Sequence, residues 1–249
     1  MKDLLAIDVG NTSVHFAYYV KGRWKEEFRV ATKDIRAKAA SILKKKYGYK
    51  EFDAVIGSVV PKTGIYLKKA IERLPNARVF MIGAHFPVPI VNKYRRPSQV
   101  GIDRLLSALA AYTKYKKALI VIDFGTAITF DVVSKKGEYL GGVIAPGIEI
   151  SLEALFQKTA LLPKIKLSHP HAVVGKDTVE SIRAGCSIGI GGLCDRLVET
   201  IEKQYHFKAK VIATGGYAEF MSRYCRTFSV IDPRLISTGI LLTYKHHSV

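Results

Sequence analysis

The chain is short of several things at once. Among its 249 residues are three cysteines (Cys186, Cys194, Cys225), three asparagines, three glutamines and one tryptophan. No C-x-x-C pair occurs, and no cysteine stands at zinc-finger spacing from a histidine, so neither a disulfide framework nor a structural zinc site is expected. The cysteines read as small apolar residues of a reducing compartment. No run approaches the roughly 20 apolar residues of a membrane helix. The first apolar run, Leu4 to Ile7, is too short for the core of a signal peptide. A cytoplasmic protein without membrane contact is the expectation. Negative charge is also scarce: 21 acidic residues face 39 basic ones, for a net +18. The excess lies in both halves, and no block of like charge is longer than Lys44-Lys45-Lys46. A diffuse excess suits anionic ligands such as nucleotides or phosphates without selecting nucleic acid. Few amides with abundant lysine resemble a heat-adapted composition. With 48% apolar residues the chain is not disordered, and its length allows one large domain or two ordinary ones.

What is present is a repeat. Leu4-Leu5-Ala6-Ile7 runs into Asp8-Val9-Gly10-Asn11-Thr12, then Val14 to Val20, then Lys21-Gly22. Leu119-Ile120-Val121-Ile122 runs into Asp123-Phe124-Gly125-Thr126-Ala127, then Ile128 to Val133, then Lys136-Gly137. The offset is constant at 115 residues. Each copy reads as strand, D-x-G turn, strand, K-G turn and a third strand, so two halves share one plan. D-x-G alone is common in tight turns; its duplication is what points to function. Glycine lets a backbone approach a ligand and expose its N–H groups. Asn11, Thr12 and Ser13, or Thr126 and Thr129, add neutral donors, and an Asp at the strand end can orient a hydrated cation. Two such hairpins could hold the phosphates and metal of a nucleotide.

The remainder alternates. Helices are expected over 33–47, 62–73, 101–114, 177–204 and 217–223, with strands at Phe52–Val60, Arg78–Ile82 and Ala209–Ala213. That order implies largely parallel sheet with helices on its faces, and a boundary near Tyr115-Lys116-Lys117.

The order of these pieces resembles the actin-like kinase superfamily and, more closely, type III pantothenate kinases. The resemblance is carried by D-V-G-N-T at Asp8–Thr12, G-I-D-R at Gly101–Arg104, D-F-G-T-A at Asp123–Ala127 and G-G-V-I-A-P-G at Gly141–Gly147. Further along come Thr159–Pro163, G-K-D-T-V-E-S-I at Gly175–Ile182, T-G-G at Thr214–Gly216 and D-P-x-L at Asp232–Leu235. Together they span nearly the whole chain. The resemblance implies a duplicated actin-like (ribonuclease H-like) α/β fold with mixed sheets flanked by helices and a cleft between domains. The domains would be 1–115 and 116–249, the last helix packing back on the first. It implies ATP-dependent phosphorylation of pantothenate to 4'-phosphopantothenate, the first step of coenzyme A biosynthesis, by a homodimer using ATP with Mg2+ and a monovalent cation, K+ or NH4+. By position, Asp8, Val9, Gly10, Asn11, Thr12, Ser13, Val14 and His15 would wrap the ATP phosphates, with Thr126 also touching ATP. Tyr94, Gly101, Ile102, Asp103, Arg104 and Thr178 would hold pantothenate, Asp103 as catalytic base, and Asp123 would bind the monovalent cation. The chain departs from the family pattern at Arg95-Arg96-Pro97, where Asn-Pro usually follows the tyrosine, and at Ile102, where Ala is usual.

The residues have plainer readings too. Asp103 suits the first turn of a helix, and Arg104 could meet a carboxylate with its fork or merely be solvated. Asp177 and Glu180 have the spacing of a capping box, placing Thr178 in a first helical turn. Ala184, Gly185, Gly189, Gly191 and Gly192 crowd small residues into a helix where each Gly costs about 1 kcal/mol, so close packing at a dimer interface is expected. Thr214-Gly215-Gly216 marks a turn where main chain could approach an adenosine. Two alternatives keep the fold: a phosphatase acting on polyphosphate, or a non-catalytic regulatory relative. Specific nucleic-acid binding is not expected, since no recognised binding motif is present.

Overall fold

The computed structural model describes residues 2–248. It divides into two compact units, one running to Lys114 and resuming at Arg234, the other spanning Tyr115–Pro233.

In the first unit β1 (Asp3–Val9), β2 (Ser13–Val20) and β3 (Arg23–Ala31) form an antiparallel meander, followed by α1 (Ile35–Tyr47), β4 (Phe52–Ser58), α2 (Pro61–Ile71) and β5 (Ala77–Met81). The sheet order is β3-β2-β1-β4-β5, with β1, β4 and β5 parallel. The unit is completed by α3 (Ile102–Tyr115, whose last residue falls in the second unit) and α8 (Leu235–His247). β1 explains the layering. Its Leu4, Leu5, Ala6 and Ile7 are all buried because side chains alternate between two covered faces. Leu5, Ile7 and Val9 join Ile35, Leu43 and Leu67 of α1 and α2. Leu4 and Ala6 join Leu106 of α3 and Ile240 and Tyr244 of α8. Each fully buried Leu or Ile contributes about 1.5–3 kcal/mol, so both helical layers are held by one strand's pattern. β3 alternates instead: Arg23, Lys25, Glu27 and Arg29 face solvent, a charged edge that resists further pairing. The two-residue turn Lys21-Gly22 has positive φ at both positions, 47° and 83°, the geometry that matches strand twist in a tight hairpin.

The second unit repeats the plan. β6 (Leu119–Phe124), β7 (Ala127–Val133) and β8 (Tyr139–Pro146) form the meander, followed by α4 (Ile148–Lys158), α5 (Thr178–Ala184), α6 (Ile190–Tyr205), β9 (Lys210–Thr214), α7 (Ala218–Met221) and β10 (Val230–Ile231). Its sheet order, β10-β9-β6-β7-β8, is that of the first sheet read from the other edge. Ile120, Ile122 and Phe124 pack with Cys194, Val198 and Ile201 of α6.

The helix expected over 177–204 forms, running from Thr178 to Tyr205 with one slip in its ladder. α5 gives way to one π-helical turn at Gly185–Gly189 before α6 begins, and a glycine stands at each end of that turn. The strand expected over 52–60 stops at Ser58, whose hydroxyl accepts from the Val60 amide at 3.1 Å as Pro61 opens α2. No helix among the described residues is long and apolar enough to cross a membrane.

Candidate active site

In the first unit, the D-V-G-N-T turn joins β1 to β2. Asp8 is half-buried and pairs with His15 on β2 and Gly57 on β4. Val9 and Val14 are buried and anchor the turn; Gly10 and Ser13 are half-buried, and Asn11 and Thr12 are exposed. The Gly10 amide donates to Ser13 O at 3.0 Å. Thr32, just past β3, ties the turn from one side: its hydroxyl donates to Gly10 O at 2.7 Å and its amide to Thr12 O at 2.9 Å. Since the Gly10–Asn11 peptide is trans and planar, the Asn11 N–H points away from Thr32. The Gly10 and Thr12 carbonyls are thus tied to Thr32, while the Asn11 amide points away from it and Asn11 and Thr12 are exposed. His15 lies 3.6 Å from Glu27, yet burial and the nearby Arg29 hold its pKa below the ordinary value, so the imidazole is neutral near pH 7.

The Gly101–Arg104 segment opens α3 at the same end of this sheet. Val59 donates its amide to Val9 O at 3.1 Å, and a Cβ on Gly101 would lie 3.6 Å from Val59 Cγ1. The start of α3 and the D-V-G-N-T turn thus both stand at the carboxyl ends of β1 and β4, the place where open α/β sheets bind ligands. The Asp103 carboxylate accepts the Arg104 amide at 2.8 Å. Burial pushes its pKa up, outweighing that bond and the Arg104 charge. A side chain at 101 would overlap Asp103 Oδ1, so the glycine leaves the carboxylate its place. Arg104 is buried. Ile102 is half-buried, its Cγ2 3.8 Å from where a Gly57 Cβ would stand. Tyr94 is half-buried in the β5–α3 connection, its amide donating to Asn92 Oδ1 at 2.9 Å.

In the second unit, Asp123 ends β6, between Thr129 on β7 and Thr214 on β9. Gly125 and Gly215 flank its carboxylate. A Cβ on Gly125 would come within 3.4 Å of Oδ1, and one on Gly215 would overlap both Oδ1 and the Phe124 carbonyl. Gly215 also has φ +91°, open to few other residues. Backbone at Gly125 and Gly215 thus comes close to this acid, beside its register partners Thr129 and Thr214. Thr126 is exposed in the same turn, where Gly125 N donates to Ala127 O at 3.1 Å. Alongside, Tyr217 donates its amide to Phe124 O at 3.3 Å and its hydroxyl to Glu149 at 2.6 Å; burial and that carboxylate raise its pKa to about 12.

Thr178 is not part of that turn. It begins α5 and, with Leu155, Leu162 and Cys186, lines a separate cavity of about 660 Å³. The capping box expected there is half formed. Asp177 accepts the Glu180 amide at 2.8 Å, but Glu180 turns to the His171 amide at 3.1 Å and to Arg183 at 2.9 Å. The missing half fastens the 159–177 loop instead.

The approach of Gly215 to Asp123 was not foreseen from the sequence. The T-G-G signal was visible, but it pointed to a nucleoside rather than to the acid of the neighbouring strand.

A family model for type III pantothenate kinase matches residues 4–200. The chain belongs to that family. A type III pantothenate kinase of Persephonella marina is 39% identical over 98% of this chain and 99% of its own. That of Myxococcus xanthus is 36% identical over the same shares. Among solved structures, an inorganic polyphosphate/ATP-glucomannokinase from Arthrobacter sp. strain KM superposes with a TM-score of 0.51 at 15% identity, covering 99% of this chain and all of its own. That likeness concerns the fold alone, a duplicated actin-like arrangement of mixed sheets and flanking helices.

Proposed function

We propose that this protein transfers the γ-phosphoryl group of ATP to the primary hydroxyl of pantothenate, giving 4'-phosphopantothenate and ADP, the first step of coenzyme A biosynthesis. The observation that carries the reading is the half-buried Asp103 carboxylate at the start of α3, its pKa raised by desolvation, in a chain that aligns with a family member over 98% of its length. Phosphoryl transfer asks a protein mainly for positioning and charge neutralisation. Asp103 takes the hydroxyl proton as that oxygen bonds to phosphorus; the bond to ADP breaks, and Asp103 carries the proton away. A raised pKa makes it a better acceptor than an exposed aspartate. Arg104 meets the substrate carboxylate, with Tyr94, Gly101 and Ile102 beside it, and Thr178, from its own place at the start of α5, is a further contact to pantothenate.

The D-V-G-N-T turn and His15 hold the phosphates, using the amide and polar face that Thr32 leaves outward, and Thr126 touches the nucleotide. Bound ATP brings a divalent ion that neutralises the departing phosphates. Mg2+ usually keeps several waters and few protein ligands; this fits a chain in which no group of three or more His, Cys, Asp or Glu is placed to hold a metal among the described residues. The Asp123 site suits K+ or NH4+: one carboxylate supplies a single charge, and glycines leave main-chain oxygens within reach.

Two copies form the working enzyme, in the cytoplasm. Leu161, Val173 and Val174 are 91%, 71% and 72% exposed. Among the described residues, nothing beyond each glycine's own chain neighbours and helix backbone lies within 4 Å of where Cβ atoms would stand on Gly185, Gly189 and Gly192, so a second α5–α6 face can close on this one. Gly192→Glu should give a monomer by sedimentation.

The deciding experiment is Asp103→Asn in a coupled ADP assay with pantothenate, Mg2+ and K+. Turnover should fall about 10²–10⁴-fold, with sugars and nucleosides inactive as acceptors. The wild-type acid limb of kcat/KM should lie above the usual aspartate value and vanish in the variant. Because the folded pKa is raised, the Asp103 contribution to stability is full at low pH and is lost as pH rises through it. The variant should therefore melt no lower than wild type at pH 7. Unchanged turnover would refute the assignment.

A further inference from the structure

We propose that the first unit carries a second ligand site, for a small organic anion with a flat or apolar body, in a cavity between the C-terminal halves of α1 and α2. The cavity encloses about 490 Å³, within the roughly 300–1,000 Å³ of small-molecule pockets. Ala40, Ala70 and Leu74 contribute apolar surface, and two tyrosine rings belong to its walls. The Tyr66 ring is fixed, since its hydroxyl donates to Arg36 O at 2.7 Å. Tyr49 is 99% exposed, an aromatic side chain that folding leaves in water.

The charge around the cavity selects the ligand. Lys44, Lys69 and Arg73 line it, no lining residue is acidic, and none of the three makes an ion pair among the described residues. Their neighbours differ: Lys46 pairs with Glu26, and Lys68 with Glu72 at 3.7 Å. Residues 33–73 hold eleven basic and four acidic side chains. All four acids are engaged elsewhere: Asp34 with Lys38, Glu51 with Lys2, Asp53 with Arg78 and Glu72 with Lys68. Lysines near helix C-termini complement the helix dipole, which accounts for their place along each axis. It does not account for three basic residues and two tyrosines lining one hollow that has no acid. Cations above an apolar pocket with aromatic walls fit a carboxylate, sulfonate or phosphate attached to a planar or acyl body. A bare polyanion would want a stripe of cations and no hollow.

The test is fluorescence titration of the full-length protein with 1-anilinonaphthalene-8-sulfonate. A saturable site should appear, weakened at least about tenfold in the Lys69→Glu/Arg73→Glu double variant. N-phenyl-1-naphthylamine, which keeps the rings and lacks the sulfonate, should bind about tenfold more weakly or worse. Millimolar inorganic phosphate should not displace the dye. Melting curves would show whether the double variant folds; if it does not, the milder Lys69→Gln/Arg73→Gln variant carries the test, with a loss of about fivefold. Affinity unchanged by loss of the cations, or displacement by phosphate alone, would overturn the site. Because pantothenate turnover is not the readout, the outcome is independent of the proposed kinase activity.

Discussion

The two D-x-G turns, 115 residues apart, are built alike and furnished differently. Beside Asp123 the second unit places two glycines: Gly125 and Gly215 both abut its carboxylate, and Gly215 adopts a positive φ there. In the first unit Gly57 is the register partner of Asp8, the place Thr214 holds beside Asp123, and β4 continues to Ser58 where the second unit has Gly215. The missing side chain of Gly57 makes room for Leu106, 3.0 Å from where a Cβ would stand. That glycine serves packing, whereas Gly215 serves the acid. The first turn carries Asn11, Thr12 and Ser13 and is laced to Thr32 through the Gly10 and Thr12 carbonyls. One duplicated hairpin thus yields two environments: a polar turn, proposed to hold phosphates, and a carboxylate closely approached by glycine backbone, proposed to hold a monovalent ion.

The strongest way to break this comparison is to put a methyl group on each unit's glycine. In Gly215→Ala the new Cβ meets Asp123 and the Phe124 carbonyl, and the backbone conformation itself is strained by about 1–3 kcal/mol. Activity should fall by about 100-fold or more, a loss of some 2.7 kcal/mol in the barrier, partly recovered by raising K+. Gly57→Ala meets only a leucine tip that can move. It should cost about 1–3 kcal/mol in melting experiments and leave the K+ dependence unaltered. Equal K+ responses in the two variants would remove the distinction.

Asp123→Asn sharpens the same point with less disturbance. The K+ concentration for half-activation should rise about tenfold or more, equivalent to some 1.4 kcal/mol of binding, while KM for ATP changes less. Gly10→Ala should do the reverse. Its Cβ would stand 3.2 Å from Ser13 O, a backbone atom that cannot easily give way. KM for ATP should rise about three- to tenfold, less than 1.4 kcal/mol, with the K+ curve unmoved. A shift of the K+ curve in Gly10→Ala would merge the two sites into one.

How much of this was legible beforehand follows from where the information lies. The hairpins, the K-G turns and the start of α3 are local, and glycine with period-2 burial announced them. The offset between copies held into three dimensions because the same strand order recurs. The π-helical turn at Gly185–Gly189 was less visible, since Gly-Cys-Ser-Ile-Gly satisfies a helical period whether or not the ladder slips. Gly215 reaching Asp123 depends on β9 lying beside β6, a pairing of residues some 90 apart that no local pattern encodes. The half-used capping box belongs to the same class: Asp177 behaved as its spacing required, but Glu180 had a non-local donor in His171.

The units also differ in how their second parallel strand is held. β4 carries Asp53, fully buried, which accepts Arg78 Nε at 2.7 Å and Nη2 at 2.6 Å from the register partner on β5, and the Tyr244 hydroxyl from α8. β9, its counterpart, has no such acid. Burial alone would raise the Asp53 pKa, but the guanidinium and the phenol outweigh it and hold the carboxyl below the ordinary value. A depressed pKa gives stability that is present above the unfolded value and disappears as pH falls through the folded one. Tyr244→Phe removes one donor to a charged acceptor and should cost about 1.5–3 kcal/mol at neutral pH. The penalty should shrink in acid once Asp53 is protonated in both proteins. It should loosen α8 from β1 and β4 while leaving the second unit's amide exchange unchanged. Equal loss of protection in both units would mean that they unfold as one, and the contrast between their frameworks would carry no energetic weight.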